Sequence, residues 1–440
     1  MKLSGWGRFP VRDCKVATAR GDAAVAEFVQ SGPLIARGNG RGYGDCALNP
    51  ALTLNMRQMN RMLAFDATEG LLAVEAGVLL SDIIATFLPR GWFPFVTPGT
   101  KFVTVGGMIA ADVHGKNHHR DGSVGRFIEW LDLVGADGKV RRCSRDENAD
   151  LFNWTIGGMG LTGVILRAAM RLRPVESGWI RQTALPAPDL DAAIRIFEES
   201  LDATYSVAWI DCLASGPRLG RSLVMLGEHS TQDELPEAEL ANRWAMQGKK
   251  KINVPFDLPS GLLNRFTVGA FNSAYYWNGR RTAGARLVDW DSYFYPLDAI
   301  GNWNRIYGAQ GFAQFQCALP LDTAAAGLRE LLDAIARAGA GSFLAVLKRF
   351  GPRGEGISFP MPGYTLALDI PASTGGLELL DRLDEVALAH GGRFYLAKDS
   401  RMGARVFQQS ENRAGQFRAL REAKGLSERF TSVQSERLGL

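Results

Sequence analysis

The sequence predicts an α+β protein of two domains, and three observations predict it. Short strands, short helices and glycine-rich loops alternate up to about Val175. The composition then shifts, as far as about Gly391, to aromatic-rich strands and longer amphipathic helices. A charged, helical segment closes the chain from Phe394. With 440 residues, 46% hydrophobic and 22% charged, each domain can bury its own core.

The elements follow in order. Leu34-Ile35-Ala36 reads as a strand entering the first glycine loop, and Leu52-Thr53-Leu54-Asn55-Met56 as the strand leaving it. Leu71-Leu72-Ala73-Val74-Glu75-Ala76 is a further strand. Ile83, Ile84 and Phe87 share one face of a helix over 79–88, which Pro89 and Gly91 end. Small residues suit a helix over 105–111 that lets backbone approach a ligand closely. Trp130-Leu131-Asp132-Leu133-Val134 and Val164-Ile165-Leu166-Arg167 are strands. In the second domain, 206–210 and 312–316 are strands, and 322–338 and 377–390 are helices.

Three glycine-rich stretches punctuate the first domain: 36–45, 98–113 and 157–165. Gly38-Asn39-Gly40-Arg41-Gly42-Tyr43-Gly44 superficially matches a dinucleotide fingerprint. That fingerprint needs a helix after the turn, whereas here Asp45, Asn49 and Pro50 lead into a strand. The better reading is a nest of backbone N–H groups that binds an anion. One such loop is an ordinary tight turn; three together suggest a cradle for a large phosphorylated cofactor.

Three of the five histidines fall in His114-Gly115-Lys116-Asn117-His118-His119. Adjacent side chains at 118 and 119 diverge, and no carboxylate or thiolate lies at a ligand spacing, so no metal is expected. A cationic cluster facing a phosphate or an anionic reduced cofactor fits better. Lys348 and Lys398 both follow apolar runs. Either could project into a cleft as a base with a lowered pKa, although the pattern around Lys348 favours a snorkelling surface lysine.

A net charge of +4 is too weak to indicate nucleic acid. It suits an anionic substrate, an acidic membrane surface, or neither. The five cysteines are widely spaced with no Cys-x-x-Cys, which argues against a disulfide framework or zinc site. The N-terminus lacks a secretory apolar core and no apolar run could span a bilayer, so a cytoplasmic or peripheral membrane protein is expected. Residues 249–284 combine Lys249-Lys250-Lys251 with Phe256, Phe266, Phe271, Tyr275, Tyr276 and Trp277 and show no clean period. They read as a long irregular insertion: a lid, a peripheral membrane contact, or a solvated loop.

These stretches together resemble the flavin-linked oxidases of the vanillyl-alcohol-oxidase / p-cresol methylhydroxylase superfamily, and within it the decaprenylphosphoryl-β-D-ribose 2′-oxidase family. The resemblance runs from Leu3-Ser4-Gly5-Trp6-Gly7-Arg8 through the glycine loops, the histidine cluster, Tyr295-Pro296-Leu297-Asp298 and Phe350-Gly351-Pro352-Arg353 to Ala397-Lys398-Asp399-Ser400-Arg401. It implies a PCMH-type FAD domain built from 1–176 and 393–440, with 177–392 a substrate (cap) domain over an antiparallel sheet. By position, Ala36, Arg37, Gly38, Asn39, Gly40, Arg41, Gly42, Tyr43, Gly44, Asp45 and Cys46 would hold the pyrophosphate, with Gly99, Thr104, Val105, Gly106 and Gly107. Ala111, Asp112, Val113, His114, Ile165 and Tyr395 would complete the flavin contacts. Many members carry a flavin-linked histidine in the first loop; Arg41-Gly42-Tyr43-Gly44 has none, which implies noncovalent FAD.

The resemblance also implies roles. Lys398 would act as base or alkoxide stabiliser, and Lys116 and His114 would stabilise the reduced flavin. Tyr43, Trp209, Tyr295, Gln316, Lys348 and Thr365 would line the sugar-phosphate pocket. The implied reaction is oxidation of the 2′-hydroxyl of a polyprenylphosphoryl ribose to the keto sugar. A separate NAD(P)H-dependent keto-reductase would complete epimerisation to an arabinose donor for cell-envelope polysaccharide. A related oxidase of another sugar or an aldonolactone is the alternative. Three departures from the family pattern bear on the pocket: Gly42 stands for serine, Thr365 for asparagine and Ala367 for cysteine.

Overall fold

Strand alternation and helical periodicity are realised as two sheet-based bodies in the computed structural model, which describes residues 1–246, 252–259 and 261–440. The Lys249-Lys250-Lys251 run lies outside the described residues. In the first body, β2 (Thr53–Asn55) pairs in parallel with β1 (Ile35–Arg37) on one side and with Val16–Thr18 on the other. β3 (Leu71–Glu75) leads into α1 (Leu80–Phe87), which buries Ile83, Ile84 and Phe87. A short turn through Pro89 stops at Gly91, whose φ of 81° needs a residue without a Cβ. α2 (Val105–Ala110) follows the second glycine loop. β4 (Ile128–Val134) and β5 (Val164–Pro174) pair antiparallel, and β5 also pairs with β3.

The second body is an antiparallel sheet. Its strands are β6 (Trp179–Ala187), β7 (Tyr205–Ile210) and β8 (Ser222–His229), with α3 (Leu190–Glu199) between β6 and β7. α4 (Arg265–Arg281) and β9 (Gly284–Asp289) come next, then β10 (Phe312–Pro320) and α5 (Leu321–Ala338). β11 (Ala345–Phe350), β12 (Gly363–Pro371), α6 (Thr374–Ala389) and β13 (Arg393–Phe394) complete it. The described strand order is β9-β6-β8-β7-β11-β12-β10-β13.

Period-two alternation gives this sheet two unlike faces. Phe315, Leu347, Leu366 and Leu368 lie in one core with Leu328, Leu331, Leu332 and Ile335 of α5 and Leu379, Leu380 and Leu383 of α6. On the other face the register sets Gln316 opposite Ala367, Gln314 opposite Asp369, and Lys348 opposite Thr365. A polar row therefore crosses the middle of the sheet on the face away from the helices.

The C-terminal helices α7 (Ala404–Ser410), α8 (Ala414–Ala423) and α9 (Val433–Leu438) follow β13. Phe430 bridges to Leu34, and Val433 N donates to Leu48 O, so this segment packs beside the first glycine loop. Among the described residues, no helix is long and apolar enough to cross a membrane.

The irregular insertion expected over 249–284 is corrected: 265–281 is the helix α4. Asn264 caps it by accepting hydrogen bonds from the N–H groups of Phe266 and Thr267. Its apolar side chains point both inward and outward, which hides the helical period from a reading of sequence alone.

Candidate active site

The three glycine loops converge on α2. Thr104 caps this helix by accepting from Gly107 N at 3.2 Å, while Val105 N and Gly106 N donate to Val78 O and Ala76 O. A Cβ on Gly38 would lie 2.1 Å from Thr104 Oγ1, so the first loop meets the cap only because residue 38 is glycine. Asn39 Nδ2 donates to Phe102 O at 2.8 Å and joins the first loop to the second. Gly157 N and Met159 N donate to Ile109 O and Ala110 O and join the third. Gly99 faces open space, with nothing within 4 Å of a Cβ placed there.

The first loop is also threaded between two distant parts of the chain. Trp6 N donates to Gly42 O, and Tyr43 N to Ala397 O at 2.9 Å. Arg437 holds both Asp45 at 2.7 Å and Asp399 at 2.9 Å. These ties bring Lys398 onto Tyr43, its Nζ 3.5 Å from the ring centre. Cys46 and Ile165 are both buried, Cys46 in the core of the large sheet and Ile165 in that of the first body.

Asp112 turns the chain beyond α2, with a φ of 39°. Its buried carboxylate accepts from Ser123 Oγ at 2.6 Å, Gly125 N at 2.9 Å and Ser358 Oγ. Tyr395 donates its phenol to Ala111 O at 3.0 Å and stacks on Phe359. Val113 and His114 are buried beyond them. The His114 ring lies 4.7 Å from Phe350 and 5.3 Å from Tyr395, and its Nε2 is 3.1 Å from Gln316 Nε2. Gln316 in turn donates to Thr365 Oγ1 at 3.3 Å. The histidine loop thus reaches the polar row of the large sheet.

Burial changes the charge expected there. Desolvation first, then Lys348 and His118, hold His114 well below the usual imidazole range. Burial beside His119 lowers His118 to about 3. Burial and Lys348 lower Lys116 to about 7. Burial thus disfavours the protonated form of both imidazoles and of Lys116, against the cationic cluster the sequence suggests. Lys116 donates to Tyr293 O and lies 4.1 Å from that ring's centre. Lys348 is half-buried opposite Thr365 on the polar row rather than at the outer surface, and burial pushes it down to about 8.

Sequence reasoning missed Asp369. Its side chain is buried among Gln314, which donates to Oδ1 at 2.5 Å, and Tyr307, which donates to Oδ2 at 3.4 Å. Burial raises the carboxyl of Asp369 and lowers Lys398, while Asp369 itself opposes the fall in Lys398. The usable signal was the strand period: Asp369 is four residues after Thr365 and shares its face. Trp209 stands further along this face, donating Nε1–H to Phe343 O and packing 4.7 Å from Tyr275. Tyr295 is buried on the adjoining wall, 5.5 Å from Lys101 Nζ. Neither shares a described contact with His114 or Lys398.

The cradle fits a dinucleotide carrying a planar ring system. Its glycines and small residues bring backbone together from three loops, and His114 Nδ1, Arg41 Nε and Tyr295 Oη are buried without a hydrogen-bond partner. The FAD binding domain family matches residues 18–144. Decaprenylphosphoryl-beta-D-ribose oxidase of Mycolicibacterium smegmatis is 36% identical over 100% of this chain and 97% of its own length. The chain belongs to that oxidase family. L-gulonolactone oxidase of Mus musculus is 32% identical over 31% of each chain. Cytokinin dehydrogenase 3 of Arabidopsis thaliana is 29% identical over 34% of this chain and 30% of its own. This family member is an FAD-dependent oxidoreductase acting on alcohol groups, with an α+β PCMH-type fold.

Proposed function

We propose that the chain oxidises the 2′-hydroxyl of a polyprenylphosphoryl-β-D-ribose to the 2′-keto sugar. The observation that carries this reading is the seating of Lys398 on Tyr43, between the glycine cradle and the polar row Gln314, Gln316, Lys348, Thr365 and Asp369. The likeness to the mycobacterial oxidase over the whole chain supports the sugar assignment.

The loops 36–46, 99–107 and 111–114, with Ile165 and Tyr395, would hold FAD without a covalent bond. When bound, FAD supplies the two-electron acceptor for the hydride leaving the carbinol carbon. Lys398 Nζ, in its neutral form, takes the hydroxyl proton. Gln316 and Lys348 orient the ribose and its phosphate, and Thr365 shapes the pocket floor. Lys116 would place partial positive charge toward the bound cofactor, while His114 would offer its unpartnered Nδ1 as a neutral N–H donor. Residues 1–176 and 393–440 form the FAD domain and 177–392 the substrate domain. The keto product passes to a separate NAD(P)H-dependent reductase, which completes epimerisation toward an arabinose donor.

Product analysis tests the substrate assignment. After turnover with polyprenylphosphoryl ribose, borodeuteride reduction should place deuterium at C2′ of the sugar. Deuterium at another carbon, or turnover of L-gulono-1,4-lactone alone, would move the assignment to the aldonolactone alternative. Acid precipitation tests the noncovalent link: the flavin should stay in the supernatant, and a yellow pellet would refute it.

A further inference from the structure

We infer that the outward face of α4 docks on an anionic lipid surface. Phe266 and Trp277 are eleven residues apart, close to three turns, so they share one side of the helix. They are 84% and 58% exposed. Arg280 and Arg281 extend the same side, and the Arg281 guanidinium lies 4.4 Å from the Trp277 ring centre. The opposite side is anchored. Val268 and Asn272 are buried, Asn272 Nδ2 donates to Asp211 Oδ1 at 2.8 Å, and Tyr276 donates to Ala187 O at 3.3 Å. The aromatic side chains are therefore presented by a helix whose inner face is already anchored to the protein.

Charge selects the occupant. Over 252–288 the basic residues are Arg265, Arg280, Arg281 and Arg286, and the one acidic residue is Asp257. Asp257 is already paired with Arg8. A second copy on the same face would set these cations against each other. Anionic headgroups would pair with them while the large aromatic rings enter the interfacial layer. The helix reaches the candidate pocket as well, because Tyr275 packs on Trp209 of the large sheet. Provided that the substrate carries a polyprenyl tail, as proposed above, α4 holds the pocket where that tail resides; the docking itself does not depend on the substrate.

The test uses the full-length holoenzyme and no substrate, so its failure is separate from failure of the sugar assignment. Co-sedimentation is measured with vesicles of phosphatidylglycerol and phosphatidylcholine in equal parts, and with phosphatidylcholine alone. Binding to the anionic vesicles alone is expected, falling as salt rises. The double variant Phe266→Glu/Trp277→Glu should bind them about tenfold more weakly with flavin content unchanged. Independently, brominated lipid should quench more tryptophan emission in the wild type than in Trp277→Phe. Absence of binding to anionic vesicles, or equal quenching in the two proteins, would overturn the proposal. So would self-association of the wild type that the double variant abolishes.

Discussion

At Lys398, desolvation lowers the pKa and Asp369 opposes the fall, so the two side chains set one protonation balance. Rate rises with pH if neutral Lys398 is the base. Asp369→Asn removes the group that raises the Lys398 pKa, so the rising limb of flavin reduction should move to lower pH. Stopped-flow reduction across pH checks this, and an unmoved or upward-shifted limb would count against the pairing. Lys398→Met should slow flavin reduction by roughly 10²–10⁴-fold with flavin content unchanged; unaltered single-turnover rates would remove it from the chemistry. The two lysines were legible to different degrees. Lys398 stands in a specific motif, whereas the apolar surroundings of Lys348 suit either a buried or a snorkelling lysine. Only the facing loops decide between them, and those contacts are distant in sequence.

The elements best read from sequence are those whose own periodicity matches their burial. α1, α5 and α6 fall within a few residues of the expected spans because each buries one continuous stripe. α4 was missed because its anchored and exposed faces both carry apolar residues. Its capping Asn264 was the local signal available. For the cradle, position within the chain was legible but the fit between loops was not, since the 2.1 Å approach of Gly38 to Thr104 is a tertiary fact. Gly38→Ala should push the first and second loops apart and lower flavin occupancy while far-UV circular dichroism stays native. Full flavin occupancy in that variant would contradict the cradle.

Across the whole molecule, the C-terminal segment joins the two bodies, and an ionic cluster helps it do so. Glu411 is buried against Arg413 at 2.7 Å and Arg393 at 3.2 Å, the latter on β13 of the large sheet. Glu411→Ala would leave two guanidinium groups without their shared carboxylate, at a cost of about 3–5 kcal/mol. A drop of several degrees in Tm, read by calorimetry, is expected; an unchanged Tm would show that the cluster adds no stability. The composition shift near Val175 marked two bodies in the sequence, but pairing of the C-terminus with the first glycine loop has no local signal, because it joins Leu34 to Phe430. The central claim is that cradle, lysine and polar row together oxidise a lipid-linked ribose. The most direct test adds polyprenylphosphoryl ribose anaerobically to the purified holoenzyme and follows the visible flavin band. Bleaching of the oxidised band with one equivalent is the expected result; a band that stays oxidised with this sugar would contradict the claim.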